Sequence, residues 1–297
     1  MIFVNVILPV LLIFLSGYII QRKYQMDLKP ISTVAIYILS PALVFRTFYK
    51  TPLDIQLMYI AAISLILLGA LILITTLTAK FCHYDKQQES ALMLSTAFAN
   101  SGNYGAPVIL FAFGPVGFDY AITIMVFHSI IMSIFGVYFA SRGQSGAKLA
   151  IKTVLQMPAN YAAIVAVIMY EWQIIIPDNF FQAIDMVADA AIPLVMIILG
   201  MQLANVSTKQ MEWKGISLAT VIRLIASPLL AYLICLMFPL DPVLQKVLIT
   251  LAAMPSAATT TMYAVQFNAK PQFVSSSTLI TTVLSFVTLT CLLNLLQ

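Results

Sequence analysis

The sequence predicts an all-α polytopic membrane protein: ten transmembrane helices in two inverted five-helix repeats, with spans four and nine broken and crossed. Three observations carry this. Of 297 residues, 61% are hydrophobic and only 9% are charged, against about 25% charged in an ordinary soluble domain. Apolar blocks recur from Ile2 to Leu296, each long enough for a hydrocarbon core of about 30 Å, which takes about 20 helical residues. Two of the blocks carry helix-breaking residues at their middle. A water-soluble enzyme is excluded, and a net charge of +4 is too small and scattered for a nucleic-acid surface. Cys82, Cys235 and Cys291 are too far apart for a disulfide framework or a thiolate metal site, so neither a metal nor a cofactor is expected.

In chain order the spans are placed at 2–21, 30–48, 57–80, 88–113, 117–140, 149–170, 180–203, 214–238, 244–268 and 272–296. The first lacks a basic leader and a small-residue cleavage site, so it is expected to be retained. Loops after odd-numbered spans hold eleven Lys and Arg residues, among them Arg22, Lys23, Lys80, Arg142, Lys148 and Lys270. Loops after even-numbered spans hold three, Arg46, Lys50 and Lys246, and Arg223 lies inside span eight. Because cytoplasmic loops carry the Lys and Arg excess, the odd loops are expected in the cytoplasm and both termini outside, across the cell membrane. Trp172 and Trp213 fall at span ends, where interfacial aromatics collect.

Pro9, Pro41 and Pro107 in spans one, two and four have counterparts in Pro158, Pro193 and Pro255 of spans six, seven and nine, at separations of 149, 152 and 148 residues. Those offsets are near half the chain, and they divide it into residues 1–140, a short cytoplasmic linker at 141–148, and residues 149–297. With five spans per unit, the second copy must enter the bilayer from the opposite face. Inverted repeats of this kind are a recurrent plan of secondary transporters.

Span four reads Ala97-Phe98-Ala99-Asn100-Ser101-Gly102-Asn103-Tyr104-Gly105-Ala106-Pro107, and span nine reads Pro255-Ser256-Ala257-Ala258-Thr259-Thr260-Thr261. Gly costs about 1 kcal/mol and Pro about 3 kcal/mol in a helix interior. Freed backbone groups must then be satisfied by protein or water. Each break should leave a half-helix whose N-terminus, near Gly105 and near Ala258, points to the bilayer midplane, where exposed N–H groups attract anions. Asn100 and Asn103 add amide donors, and neither break contains an acid.

These residues resemble the auxin efflux carrier family of transporters, which includes plant auxin carriers and bacterial members. Ser95-Thr96 with Asn100, Gly105 and Pro107 looks like that family's span-four crossover, and Pro255-Ser256 with Ala264 like its span-nine crossover. Ala190-Ala191-Ile192-Pro193-Leu194 with Leu199-Gly200, and Arg223 with Pro228, resemble its spans seven and eight. The resemblance covers essentially the whole chain. It implies a scaffold of spans one, two, six and seven, a transport domain of spans three to five and eight to ten, and elevator-type alternating access for a small organic anion. Asn100, Asn103, Gly105, Pro107, Pro255, Ser256 and Thr259 are then the substrate-binding residues expected. The lipid bilayer and a small carboxylate are the partners, with a homodimer through the scaffold helices as the protein–protein option. One departure is the short link between halves, where plant auxin carriers generally have a long hydrophilic loop. Another is the polar Asn103, a position that need not be polar in plant members.

Charges inside the membrane mark function or a partner. Arg223 lies about 13 Å into span eight and Asp189 at a matching depth in span seven, with Asp185 one turn nearer the outside on the same face. A structural Asp189–Arg223 ion pair, a proton or substrate role, and snorkelling to water are the readings open for them. His128 lies near the midplane of span five, as a hydrogen-bonded interhelical histidine or a proton carrier. Glu89 reads as a solvated first-turn acid favoured by the helix dipole.

Rival classes are a channel, an intramembrane enzyme and a sodium-coupled symporter of the same architecture. HExxH, GxGD and GxSxG motifs are missing from the sequence, which argues against the enzyme. Thr259, Thr260, Thr261 and Gln266 could ligate sodium, but no acid accompanies them, so proton motive force or the anion's own gradient is the expected drive.

Overall fold

A computed structural model describes residues 2–50, 55–141, 152, 155–206 and 211–296. Most of the linker at 141–148, the start of span six and both end residues used in the orientation argument lie outside them. The described helices are α1 (Phe3–Tyr24), α2 (Leu28–Lys50), α3 (Ile55–Phe81), α4 (Lys86–Thr96), α5 (Ser101–Ala140), α6 (Pro158–Glu171), α7 (Asp178–Ala204), α8 (Trp213–Cys235), α9 (Pro242–Ala252), α10 (Ala258–Gln266) and α11 (Pro271–Leu296). Seven of these are long and apolar enough to cross a membrane: α1, α2, α3, α5, α7, α8 and α11.

The 40 residues of α5 would reach about 60 Å if straight, twice the hydrocarbon core. They do not run straight. Gly114 takes φ +69° and ψ −164°, a conformation open to glycine and strained for other residues, and Pro115 follows. The Gly-Pro pair separates the Ser101–Phe113 stretch from the rest, at the place where the sequence puts a connection. Helix α7 bends at Ala190, between Asp178–Asp189 and Ala191–Ala204.

Three of the helix starts at the loops, those of α2, α4 and α9, carry side-chain caps. Asp27 accepts from the Lys29 N–H at 3.0 Å. Asp85 and Gln88 form a reciprocal capping box on α4, and Asp241 accepts from Val243 and Leu244 with Pro242 at the first helical position. Helix α1 ends on Gln25 in the left-handed region, its N–H on the Gln21 carbonyl.

Burial divides each helix in two. Along α3, Ile60, Ile63, Leu67 and Leu71 face the core, while Leu65, Leu73 and Leu77 are exposed. The same holds for Leu12 and Ile19 of α1 and Ile164 of α6. In water such a belt would aggregate; against lipid it is the expected surface. Helix α1 packs along the second half of α7, and α2 along α6 and the first half of α7. At the first of these contacts Gly17 lies against the Ile197 backbone and Gly200 against the Phe14 backbone, so the two helices approach closely, as small residues allow in membranes.

Candidate functional site

Both predicted breaks are present, and they meet. Helix α4 stops at Thr96 and α9 at Ala252. The extended residues that follow each helix run past one another as a short antiparallel bridge, Ala99 opposite Ser256. Asn100 N–H donates to the Pro255 carbonyl at 2.9 Å and Ala257 N–H to the Phe98 carbonyl at 3.0 Å. Helices α5 and α10 then start from the crossing. The first restart is four residues earlier than the Gly105 position expected from the sequence. A widened π turn over Ser101–Gly105 places Pro107, which has no N–H, inside the second turn.

The outgoing helix ends carry orphan carbonyls and the negative ends of two dipoles. Arg223 meets both. Its Nη1 donates to the Thr96 carbonyl at 2.8 Å, and its Nη2 to the Ala252 carbonyl and to Ser227 Oγ at 2.6 Å. Ser227 also donates to Ala252, and Ser256 Oγ donates to the Ser95 carbonyl. Arg223 is 1% exposed. Each helix end carries about half a negative charge, so the two together offset one guanidinium. This corrects the expected Asp189–Arg223 pair: equal depth placed the two at one level, but Arg223 points into the crossing.

Asp189 instead pairs with Arg46 of α2 at 2.5 Å, with Asp185 3.7 Å from the same guanidinium. Arg46, counted with the loops on sequence grounds, lies inside α2. The cluster lines an open cavity of about 670 Å³ between α1, α2, α7 and α5, with Lys50 and Asp119 on its wall. Charged side chains inside a membrane face water-filled cavities, and with the Asp189 side chain 72% exposed to this one the pair should contribute under about 1 kcal/mol. Arg46→Gln is therefore expected to move the melting temperature in detergent little, and any difference should fade with salt; a loss of several degrees at high salt would contradict this.

At the crossing neither α5 nor α10 has a side-chain cap, a property they share with α6, α7 and α8; what sets the crossing apart is the buried amide beside these two starts. Asn100 occupies the cap position of α5 without capping it, and its Nδ2 is buried with no partner. Asn103 and Thr259, half-buried, stand in the first turns of α5 and α10. The other predicted site residues support the crossing. The hydroxyl of Ser256 is engaged, Pro255 supplies a carbonyl, Pro107 is buried, and Gly105 packs on Leu251, whose Cδ2 would lie 2.5 Å from an added Cβ. His128 Nδ1 lies 2.6 Å from Ser101 Oγ.

Sequence reasoning did not single out Ser227, Thr281 or Tyr104. Thr281 Oγ1 accepts from the Ser256 N–H, and Tyr104, fully buried, pairs with Ser285 and packs on Phe14 and Phe286. Ser227, four residues after Arg223, had a readable signal, since that spacing puts both on one helix face. Among the described residues no group of three or more His, Cys, Asp or Glu side chains could hold a metal ion.

The chain matches the family described as membrane transport protein over residues 2–155 and again over 147–293. It is 25% identical over 301 residues to an uncharacterized transporter of Methanocaldococcus jannaschii, covering 97% of this chain and 96% of the relative. It is 27% identical over 290 residues to an uncharacterized transporter of Methanothermobacter thermautotrophicus, covering 95% of each. The crossed, broken helices thus sit in a membrane protein of the membrane transport protein family, the auxin efflux carrier family that its motifs resemble, and to that family the chain belongs.

Proposed function

We propose that the protein is a secondary transporter of a small organic anion, working by elevator-type alternating access. In this reading it has ten spans: α1, α2, α3, α4 with Ser101–Phe113 as one broken span, the remainder of α5, α6, α7, α8, α9 with α10 as the second broken span, and α11. The two halves are inverted copies, and the family match to each half supports that division. Spans one, two, six and seven form the scaffold, and the open cavity between α1, α2, α7 and α5 is where the moving part would slide.

One observation carries the substrate class: a buried amide donor, Asn100 Nδ2, with no partner, beside two uncapped helix N-termini. A carboxylate supplies the acceptors that all three lack, and the two dipole ends add about one positive charge between them. Arg223 contributes no net charge there, since the opposite helix ends occupy it. Asn103 and Thr259 are the next groups within the first turns.

Losing one hydrogen bond to a charged ligand costs about 1.5–3 kcal/mol, or about 10- to 150-fold in affinity. Asn100→Ala and Asn103→Ala are expected to weaken binding by that factor with the fold intact. Ligand-dependent melting shifts of purified protein with acetate, lactate, pyruvate, benzoate and succinate would read this, with size exclusion as the fold check. If both variants bind as tightly as the wild type, the site lies elsewhere. In liposomes a sodium gradient should change uptake little, and strict sodium dependence at fixed pH and voltage would select the sodium-coupled reading.

A further inference from the structure

Behind the bridge, α3, α5 and the first break enclose a cavity of about 30 Å³, lined by Ser64, Phe98, His128 and Arg223 among apolar side chains. Two polar atoms of the lining residues have no partner: Ser64 Oγ and Arg223 Nε, on side chains 4% and 1% exposed. Buried polar groups of this kind are normally satisfied by ordered water, and a cavity this size holds about two molecules. His128 is part of the wall. Its other contact is Ser101 Oγ at 2.6 Å, on the first residue of the helix whose uncapped N-terminus faces the anion in the reading above. The imidazole thus stands between a hydrated pocket and the anion site.

We infer that His128 is the coupling residue, taking a proton through this pocket when the anion binds and releasing it when the anion leaves. The inference rests on the anion reading above. Among the described residues lining the pocket, Arg223 is the charged side chain beside His128, its charge offset by the Thr96 and Ala252 helix ends; Ser64 is a further polar lining residue, and Ser101 is the hydrogen-bond partner of the ring. The positive end of the α5 dipole, where Ser101 meets the ring, opposes an imidazolium in the empty site. A carboxylate at the helix N-terminus offsets that repulsion, so anion and proton favour each other's binding by the same factor. The proton adds to one imidazole nitrogen, no bond to carbon forms or breaks, and one proton accompanies each anion.

Affinity should therefore weaken as pH rises, by up to tenfold per pH unit between the proton affinities of His128 in the empty and occupied states, and level off on either side. Kd would be measured in detergent from pH 5.5 to 8 with whichever of acetate, lactate, pyruvate and benzoate shifts wild-type melting. His83, the other of the two histidines, lies in a loop, so His83→Gln should keep the slope. His128→Gln should flatten it and bind at every pH about as weakly as the wild type does at pH 8. A slope that survives in folded His128→Gln, or that disappears in His83→Gln, overturns the inference while leaving the anion site standing. Absence of binding by the wild type at every pH overturns both.

Discussion

Gly17→Ala and Gly200→Ala are each expected to destabilise the protein by about 3 kcal/mol, the upper end of overpacking costs. An added Cβ at Gly200 would run into the Phe14 carbonyl and lie 2.8 Å from its carbon; one at Gly17 would meet the Ile197 carbonyl, 2.9 Å from its carbon. Both obstacles are backbone, so relief requires α1 and α7 to separate, which loosens the whole contact. The control is Gly69→Ala, whose Cβ would meet nothing within 4 Å and which gains helix propensity. Melting of the three variants in one detergent decides the matter. If Gly200→Ala melts with Gly69→Ala, the close approach of α1 and α7 is not real. The double Gly17 and Gly200 variant should lose less than the sum of the singles, because one separation accommodates both methyl groups.

Arg223→Met is expected to cost about as much, for a different reason. It removes the donor from the Thr96 carbonyl and one of two donors from Ala252, which keeps Ser227. A buried carbonyl left without a donor costs about 1–3 kcal/mol, and the two helix ends also lose the charge that offsets them. Arg223→Lys should recover part of the loss, since a single ammonium keeps the charge but lacks the planar fork that reaches two carbonyls at once. Asp189→Asn in the same chain should rescue nothing: Asp189 belongs to Arg46, and the two losses should add within about 0.5 kcal/mol. Rescue of Arg223→Met by Asp189→Asn would restore the ion pair that the structure contradicts.

The membrane class and the two breaks were legible in the sequence because they depend on local chemistry. Apolar length sets what can cross a bilayer, and Gly, Asn and Pro in mid-run stop a helix wherever they occur. The Gly114-Pro115 turn was legible for the same reason. What each buried polar group meets was not legible. Depth along the membrane normal can be counted from a span end, and it placed Arg223 level with Asp189. Direction around the helix axis cannot, because it depends on which neighbours α7 and α8 pack against. Only the tertiary structure turned Arg223 toward the Thr96 and Ala252 carbonyls, gave Asp189 to Arg46, and engaged Ser256 while leaving Asn100 Nδ2 without a partner. Side chains more than 100 residues apart in sequence, Arg223 and Thr96 among them, are joined by the crossing of two chain segments. No local pattern in either segment fixes which groups meet at that crossing; the partners are chosen where two helices, each forced to stop, leave carbonyls that lipid cannot satisfy.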